Sequence, residues 1–294
     1  MAKKKKKKRQ WPFILIFIIG FLILLYPQVS RLYYRVQADK QVRTFDDDKK
    51  DLSEEDIKKR IELAKGYNDS LVNKIPSDPY VKEKQEAGIA EYARMLELNE
   101  KIGHVQIPLI DVDIPIYAGT SDEVLQRGAG HLEGTSLPIG GLDTHTVITA
   151  HSGLPQARLF TDLSQLKVGD KFFIHNLEQT LAYEVDQIKV VEPSHFEDLL
   201  VVNGEDYATL LTCTPIMINS HRLLVMGHRI EYNPADVGDM VKTGRLGLIF
   251  KYGFFVDIAL IVVLIYMDIK YYKKRKRLVS KIMSLKSKKD GEGN

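Results

Sequence analysis

The chain has 294 residues, 44% of them hydrophobic and 28% charged, which suits one ordinary domain with extensions, since roughly 150 residues already bury a core that stands alone. The net charge of +3 conceals an asymmetry: residues 1–10 carry +7 and residues 268–294 carry +7, leaving −11 for residues 11–267. Because the basic character lies only at the ends, no basic patch is left on the folded part and a nucleic-acid partner is excluded.

Both basic tails abut apolar runs. Lys3–Lys8 and Arg9 precede Trp11–Tyr26, in which Phe13–Leu25 carries no charge; Gly253–Met267, interrupted only by Asp257, precedes Lys270. Each uninterrupted run is shorter than the roughly 20 residues of a bilayer span. Trp11, Tyr26 and Pro27 extend the first, and Leu246–Tyr252 extend the second, with Lys251 able to snorkel. Lys and Arg are retained on the cytoplasmic side, so two spans would leave both tails inside and the acidic middle outside. A cleavable leader is the alternative for the first run, but Tyr26-Pro27-Gln28 makes a poor cleavage site. A helix lying on the membrane surface is the alternative for the second.

Arg31–Lys74 reads as helix, with Ser53 and Asp56 as a helix start and Ile57, Ile61, Ala64 and Leu71 as an apolar stripe. Pro76 and Pro79 break it, and a second helix is expected from about Val81 to Leu98. From Ile102 the texture turns to strands. Val105, Ile107 and Leu109 alternate, Ile114–Tyr117 follow, and Pro108 and Pro115 push these segments towards edges or bulges. Asp122–Gln126 reads as a helical turn, Thr144–Ala150 as a strand ending at His151, and Leu159–Leu166 as a short helix. Lys171–His175 and Leu181–Val191 read as a strand pair. Thr209–Thr212 and Leu223–Met226 close the domain, with Glu205 and Asp206 in a turn and His228–Tyr232 as a tail. Many short strands with few helices suggest a small β-barrel.

The single cysteine, Cys213, cannot form an internal disulfide, so it is a buried small hydrophobe, an intermolecular link or a reactive thiol. It stands where the strand Thr209–Thr212 gives way to Thr214-Pro215; Arg222 opens the next strand, and His151 ends another. Adjacent strands can therefore present a thiol, an imidazole and a guanidinium at one end of a sheet. An imidazole can shuttle the thiol proton, and arginine can hydrogen-bond a developing oxyanion or hold a substrate carbonyl. His131, His145 and His221 read as structural or exposed, and Asp257 as an acid near the end of a short span.

Thr209-Leu210-Leu211-Thr212-Cys213, Arg222 within Asn219–Leu223, and Thr149-Ala150-His151-Ser152-Gly153 together resemble the sortases, specifically the class C, pilin-polymerising kind, over about Asp78–Tyr232. The resemblance implies a mainly β fold, an eight-stranded barrel with short helices, which the helical segment read above precedes and the two transmembrane segments read above flank. It implies a basic tail over 1–10, an anchor over 11–30, a helical region with a lid over 31–100, the catalytic barrel over 101–235, a linker and second span over 236–267, and a basic tail over 268–294. It also implies that Cys213 attacks the Thr–Gly bond of an LPXTG-type sorting signal, with His151 as acid/base and Arg222 as oxyanion or substrate-orienting cation. The thioacyl enzyme would then pass its acyl group to a lysine of another pilin subunit, with no metal or organic cofactor. Asp78-Pro79-Tyr80 is similar to the class C lid, in which the acid pairs with the arginine and the ring covers the thiol; the plainer reading is a helix cap at Asp78. A housekeeping sortase using a cell-wall amine and a non-catalytic scaffold that only binds sorting signals are the competing readings.

Overall fold

The computed structural model describes residues 11–71 and 91–243, and, from the end of the chain, residues 259, 263, 266–267, 269–280 and 282. Two compact units divide it, Met1–Gly244 and Arg245–Asn294. In the second unit the described residues are helical and exposed.

In the first unit α1 (Trp11–Lys50) and α2 (Glu54–Ser70) precede eight strands. These are β1 (Lys101–Ile107), β2 (Val112–Ala118), β3 (Ala129–His131), β4 (Thr144–Thr149), β5 (Lys171–His175), β6 (Thr180–Val191), β7 (Asp206–Thr214) and β8 (His221–Ile230). A short helix α3 (Asp122–Arg127) links β2 to β3, and α4 (Pro234–Thr243) follows β8. The strands close into a barrel in the order β1-β2-β3-β4-β7-β8-β6-β5. β2–β3 and β4–β7 pair in parallel, and the remaining neighbours are antiparallel. Closure removes both sheet edges, so Pro115 is accommodated differently from the expected edge position. It faces His104 of β1, while β3 begins its pairing only at Ile116, one residue on. Its missing N–H therefore falls where β2 has no second neighbour.

β4 is buried at every position, because its two faces meet different cores. Alternation along the strands sends Ile148 and Leu210 to one side. Val147 and Leu211 go to the other, where they pack with Leu132, Phe196, Leu199, Leu224 and Met226. Phe196 and Leu199 come from the β6–β7 connection, which folds back as a cover over this outer face.

The two leading helices are fastened by polar contacts that sequence periodicity does not reveal. Ser53 caps α2, accepting from the backbone N–H of Asp56 at 3.1 Å, and Ala64 is buried as the apolar stripe required. Asn68, one turn on, grips the backbone of Leu137 in both directions, donating to its carbonyl at 3.2 Å and accepting from its N–H at 2.7 Å. On α1, Phe45 is fully buried, Arg35 pairs with Asp111 at 2.7 Å, and Lys49 donates to the carbonyl of Asn176 at 2.8 Å. Between α1 and the barrel His104 bonds Asp113 at 2.7 Å, approaches Asp46 at 3.5 Å and stacks on His175 with ring centroids 4.1 Å apart.

Several expectations are corrected. Among the described residues no helix is long and apolar enough to cross a membrane. The flanking transmembrane segments are therefore not supported by the described structure, and most of 246–267 lies outside it. Leu159–Leu166 forms turns with one 3-10 segment, Leu163–Gln165, instead of a helix, because Arg158 and Gln165 tie their side chains to Asp162. Glu91–Leu96 is likewise a 3-10 turn within the helix expected over Val81–Leu98, and residues 72–90 lie outside the described residues. His228–Ile230 belongs to β8 and is not a tail; it pairs with β6 from Ala182 to Glu184. Asp206 is the buried first residue of β7, not a turn residue, bonded to Tyr183 Oη, Thr144 Oγ1 and the N–H of Gly141.

The His104 clamp gives a pH dependence. Burial, the largest influence on His104, pushes its pKa down, but the bonds to Asp113 and Asp46 outweigh it and the net direction is up. A raised folded pKa means stabilisation that is complete below the unfolded histidine value of about 6.5 and is lost as pH rises through the folded value. We expect the melting temperature to fall as pH is raised from about 6.5, and His104→Gln to flatten that alkaline decline; calorimetry across pH tests this.

Candidate active site

Register brings the three candidate residues together. β4 pairs with β7 through Thr149↔Leu211, so two residues further along the parallel pair His151 comes opposite Cys213. On the other side of β7, Cys213 is the direct antiparallel partner of Arg222. Parity agrees: His151, Cys213 and Arg222 continue the alternation of Val147, Leu211 and Leu224, which lie together in the outer cluster. An imidazole, a thiol and a guanidinium thus stand side by side on consecutive strands, above an apolar floor.

The loop carrying His151 is locked to the Cys213 strand on both sides of the histidine. Before it, Ala150 donates its N–H to Leu211 at 3.2 Å and accepts Thr212 Oγ1 on its carbonyl at 2.7 Å. After it, Ser152 Oγ donates to the Cys213 carbonyl at 2.6 Å. The His151 carbonyl accepts from Phe160 N–H at 3.1 Å, and Gly153 N–H donates to Thr161 Oγ1 at 3.0 Å. None of these contacts uses the imidazole; they hold the backbone on which it stands. Gly153, at φ +75°, lies against the loop after Cys213: a Cβ there would stand 2.6 Å from Ile216 Cγ2.

That second loop, between β7 and β8, is a tight turn after the cis Thr214–Pro215 bond. The Pro215 carbonyl accepts from Ile218 N–H at 3.1 Å and Asn219 N–H at 2.9 Å, and Met217 and Asn219 adopt positive φ. Arg222 folds back on the same turn, donating through Nη1 to the carbonyls of Asn219 at 3.0 Å and His221 at 3.2 Å. Cys213 and Arg222 are buried at 7% and 6% exposure, whereas the His151 side chain keeps 19%.

Burial lowers the His151 pKa below the ordinary histidine value, and the Asp122 carboxylate, 3.9 Å from Nε2, works against that depression. The other histidines singled out lie elsewhere. His131 is fully buried, bonds the Ser136 carbonyl at 2.8 Å, and burial drops its pKa to about 4. His145 is enclosed between the Leu200 carbonyl and Thr209 Oγ1, and His221 bonds Ser220. Asp78 and Tyr80, the expected lid residues, lie outside the described residues. Among the described residues no three His, Cys, Asp or Glu side chains converge as metal ligands. Sequence reasoning missed Ser152 and Thr212, small hydroxyls flanking the named residues, and Asp122, whose distance of 29 positions from His151 in the chain carries no signal.

Comparison with known proteins identifies the family. Residues 105–230 match the sortase domain model. Over 140 residues the chain is 28% identical to sortase A of Bacillus anthracis, covering 47% of this chain and 65% of that protein. Sortase C-1 of Streptococcus pneumoniae is 63% identical, with 66% of this chain and all of that chain covered (100%) and a TM-score of 0.65. A pilus-related sortase C of Group B Streptococcus is 62% identical, with 65% and 97% covered and a TM-score of 0.63. The chain belongs to the sortases, a family of cysteine transpeptidases, and its similarity is to pilus-related members of class C.

The contact between the two loops is testable. Gly153→Ala should lower stability by about 1–3 kcal/mol, since it combines a left-handed backbone with a clash. Adding Ile216→Ala should restore part of the loss by removing the clash while leaving the backbone strain. Urea unfolding of the single and double variants measures both.

Proposed function

We propose that this protein cleaves LPXTG-type sorting signals between Thr and Gly and joins the threonyl carbonyl to a lysine amine of another pilin subunit. The observation that carries the reading is the register of β4, β7 and β8, which lines up His151, Cys213 and Arg222. In this scheme the Cys213 Sγ bonds to the threonyl carbonyl carbon, and its proton passes through His151 to the departing glycine nitrogen as the C–N bond breaks. A lysine amine then attacks the thioester, loses its proton to His151 and releases Sγ, leaving an isopeptide bond. Arg222 holds the carbonyl oxygen as charge develops. The depressed His151 pKa suits this shuttle, because a neutral imidazole can accept a proton near pH 7.

Similarity of 62–63% to solved class C enzymes, against 28% to a sortase A, favours a pilin acceptor over a cell-wall amine. We further propose that Asp78 pairs with Arg222 and that the Tyr80 ring covers Cys213 until substrate arrives; the Asp-Pro-Tyr resemblance supports this lid. The apolar start of α1, with Leu15, Ile16, Ile19, Leu22 and Ile23 exposed on it, supports association of this end of the chain with lipid.

Mass spectrometry of the full chain incubated with an LPXTG peptide tests the chemistry. A thioacyl adduct on the parent protein and none on Cys213→Ala is expected, with His151→Ala and Arg222→Ala slower by roughly a hundredfold or more. Absence of an adduct on folded protein would refute the reading. For the lid, Asp78→Ala should raise the rate of Cys213 alkylation by iodoacetamide; an unchanged rate would remove the proposed pairing.

A further inference from the structure

Asp122 begins α3, three residues before Leu125, which is fully buried. The helix packs tightly on the barrel: a Cβ at Gly130 of β3 would meet Leu125 Cδ2 and Val124 Cγ1 at 3.2 Å each. Ser121 caps it by accepting from Val124 N–H at 3.3 Å. On this mount the Asp122 carboxylate is steered from both sides. Gln126 Nε2 donates to Oδ2 at 2.7 Å, and Oδ1 faces His151 Nε2 at 3.9 Å. That distance exceeds hydrogen-bond range but lies within reach of an ion pair. Glu123, the adjacent acid, faces Arg127.

We infer that Asp122 is a positioning residue of this active site: braced by Gln126, its carboxylate aims the His151 ring at Cys213 and stabilises the ring when it carries a proton. The inference rests on the reading of His151 as the proton shuttle. During turnover the imidazole must become imidazolium between taking a proton and giving it up, and the apolar surroundings of the ring oppose that charge. A carboxylate on the side away from the thiol lowers the cost of the charged state and favours the orientation that points the other nitrogen inwards, as the third member of a nucleophile–base–orienter set does. Among the described residues, α3 presents Asp122 to the ring and β7 carries Cys213 beside it, while Arg222 stands one strand further on β8. The burial-driven depression of His151, with Asp122 opposing it, is consistent with this assignment.

The test uses the full chain in detergent. In a Cys213→Ala background, which removes coupling to the thiol, the His151 ring titration is followed by NMR. Asp122→Asn should lower its midpoint by roughly half to one pH unit, Gln126→Ala by less, and Asp122→Glu should restore it. With Cys213 intact, Asp122→Asn should slow thioacyl formation about three- to tenfold, the factor by which the same midpoint displacement destabilises the imidazolium formed during turnover. A His151 midpoint unmoved by Asp122→Asn overturns the inference, whatever the rate does, because a merely structural residue would slow the enzyme without displacing the titration. The proposed function fails separately: a displaced midpoint with no peptide adduct on the parent protein would keep Asp122 as the orienter of His151 and discard the sorting-signal substrate.

Discussion

The parallel pairing of β4 with β7 is the constraint on which the site depends. Parallel neighbours run in the same direction, so their exits lie at one end of the barrel, and His151 and Cys213 leave it together. The antiparallel neighbour β8 contributes its start at that end, which is where Arg222 stands. A slip of one residue in either pairing would turn a side chain to the opposite face. The register is protected against slipping because both faces of these strands are buried. Ile148 and Leu210 would have to exchange places with Val147 and Leu211, and the outer cluster under Phe196 and Leu199 would be broken.

The same burial separates His151 from the other histidines. Inside the barrel wall an imidazole is held neutral and saturated, as His131 and His145 are by backbone carbonyls and a threonine hydroxyl. At the α1 interface His175 is pushed down to about 3, chiefly by burial and then by stacked His104, whose own pKa the carboxylates of Asp113 and Asp46 raise. His151 lies between these extremes: its side chain keeps 19% exposure, and burial lowers its pKa while Asp122 opposes that. The hydroxyls of Thr212 and Ser152 fix its backbone without engaging its ring.

Much of this was legible in the sequence because it is local. Thr144–Thr149, Lys171–His175 and the α2 start at Ser53 follow from side-chain alternation and capping, which depend on near neighbours. Cys213, His151 and Arg222 could be read as residues at strand exits that adjacent strands can bring to one end of a sheet, but the register that aligns them was not legible, since pairing between strands 60 residues apart leaves no periodic trace. What escaped depended on tertiary context. Asp206 looked like a turn residue because an isolated buried acid is costly; Tyr183, Thr144 and Gly141, all distant in the chain, make it tolerable. Leu159–Leu166 had helical composition, and the side-chain bonds to Asp162 won instead.

The seating of α1 has a mechanical consequence. Arg35, Phe45 and Lys49 grip the barrel along the second half of a helix whose first half is apolar and exposed. The stretch between Tyr26 and Arg35, which carries the one proline inside the helix, Pro27, acts as a spacer of about 14 Å at 1.5 Å per residue. Whatever surface receives the apolar half, the spacer sets how far the Cys213 end of the barrel stands from it. Helical pitch sets the compass bearing as well: one residue more or less would swing the barrel by about 100° about the helix axis. The length of this helical segment thus becomes an aiming device, setting the height and side at which the barrel stands from that surface.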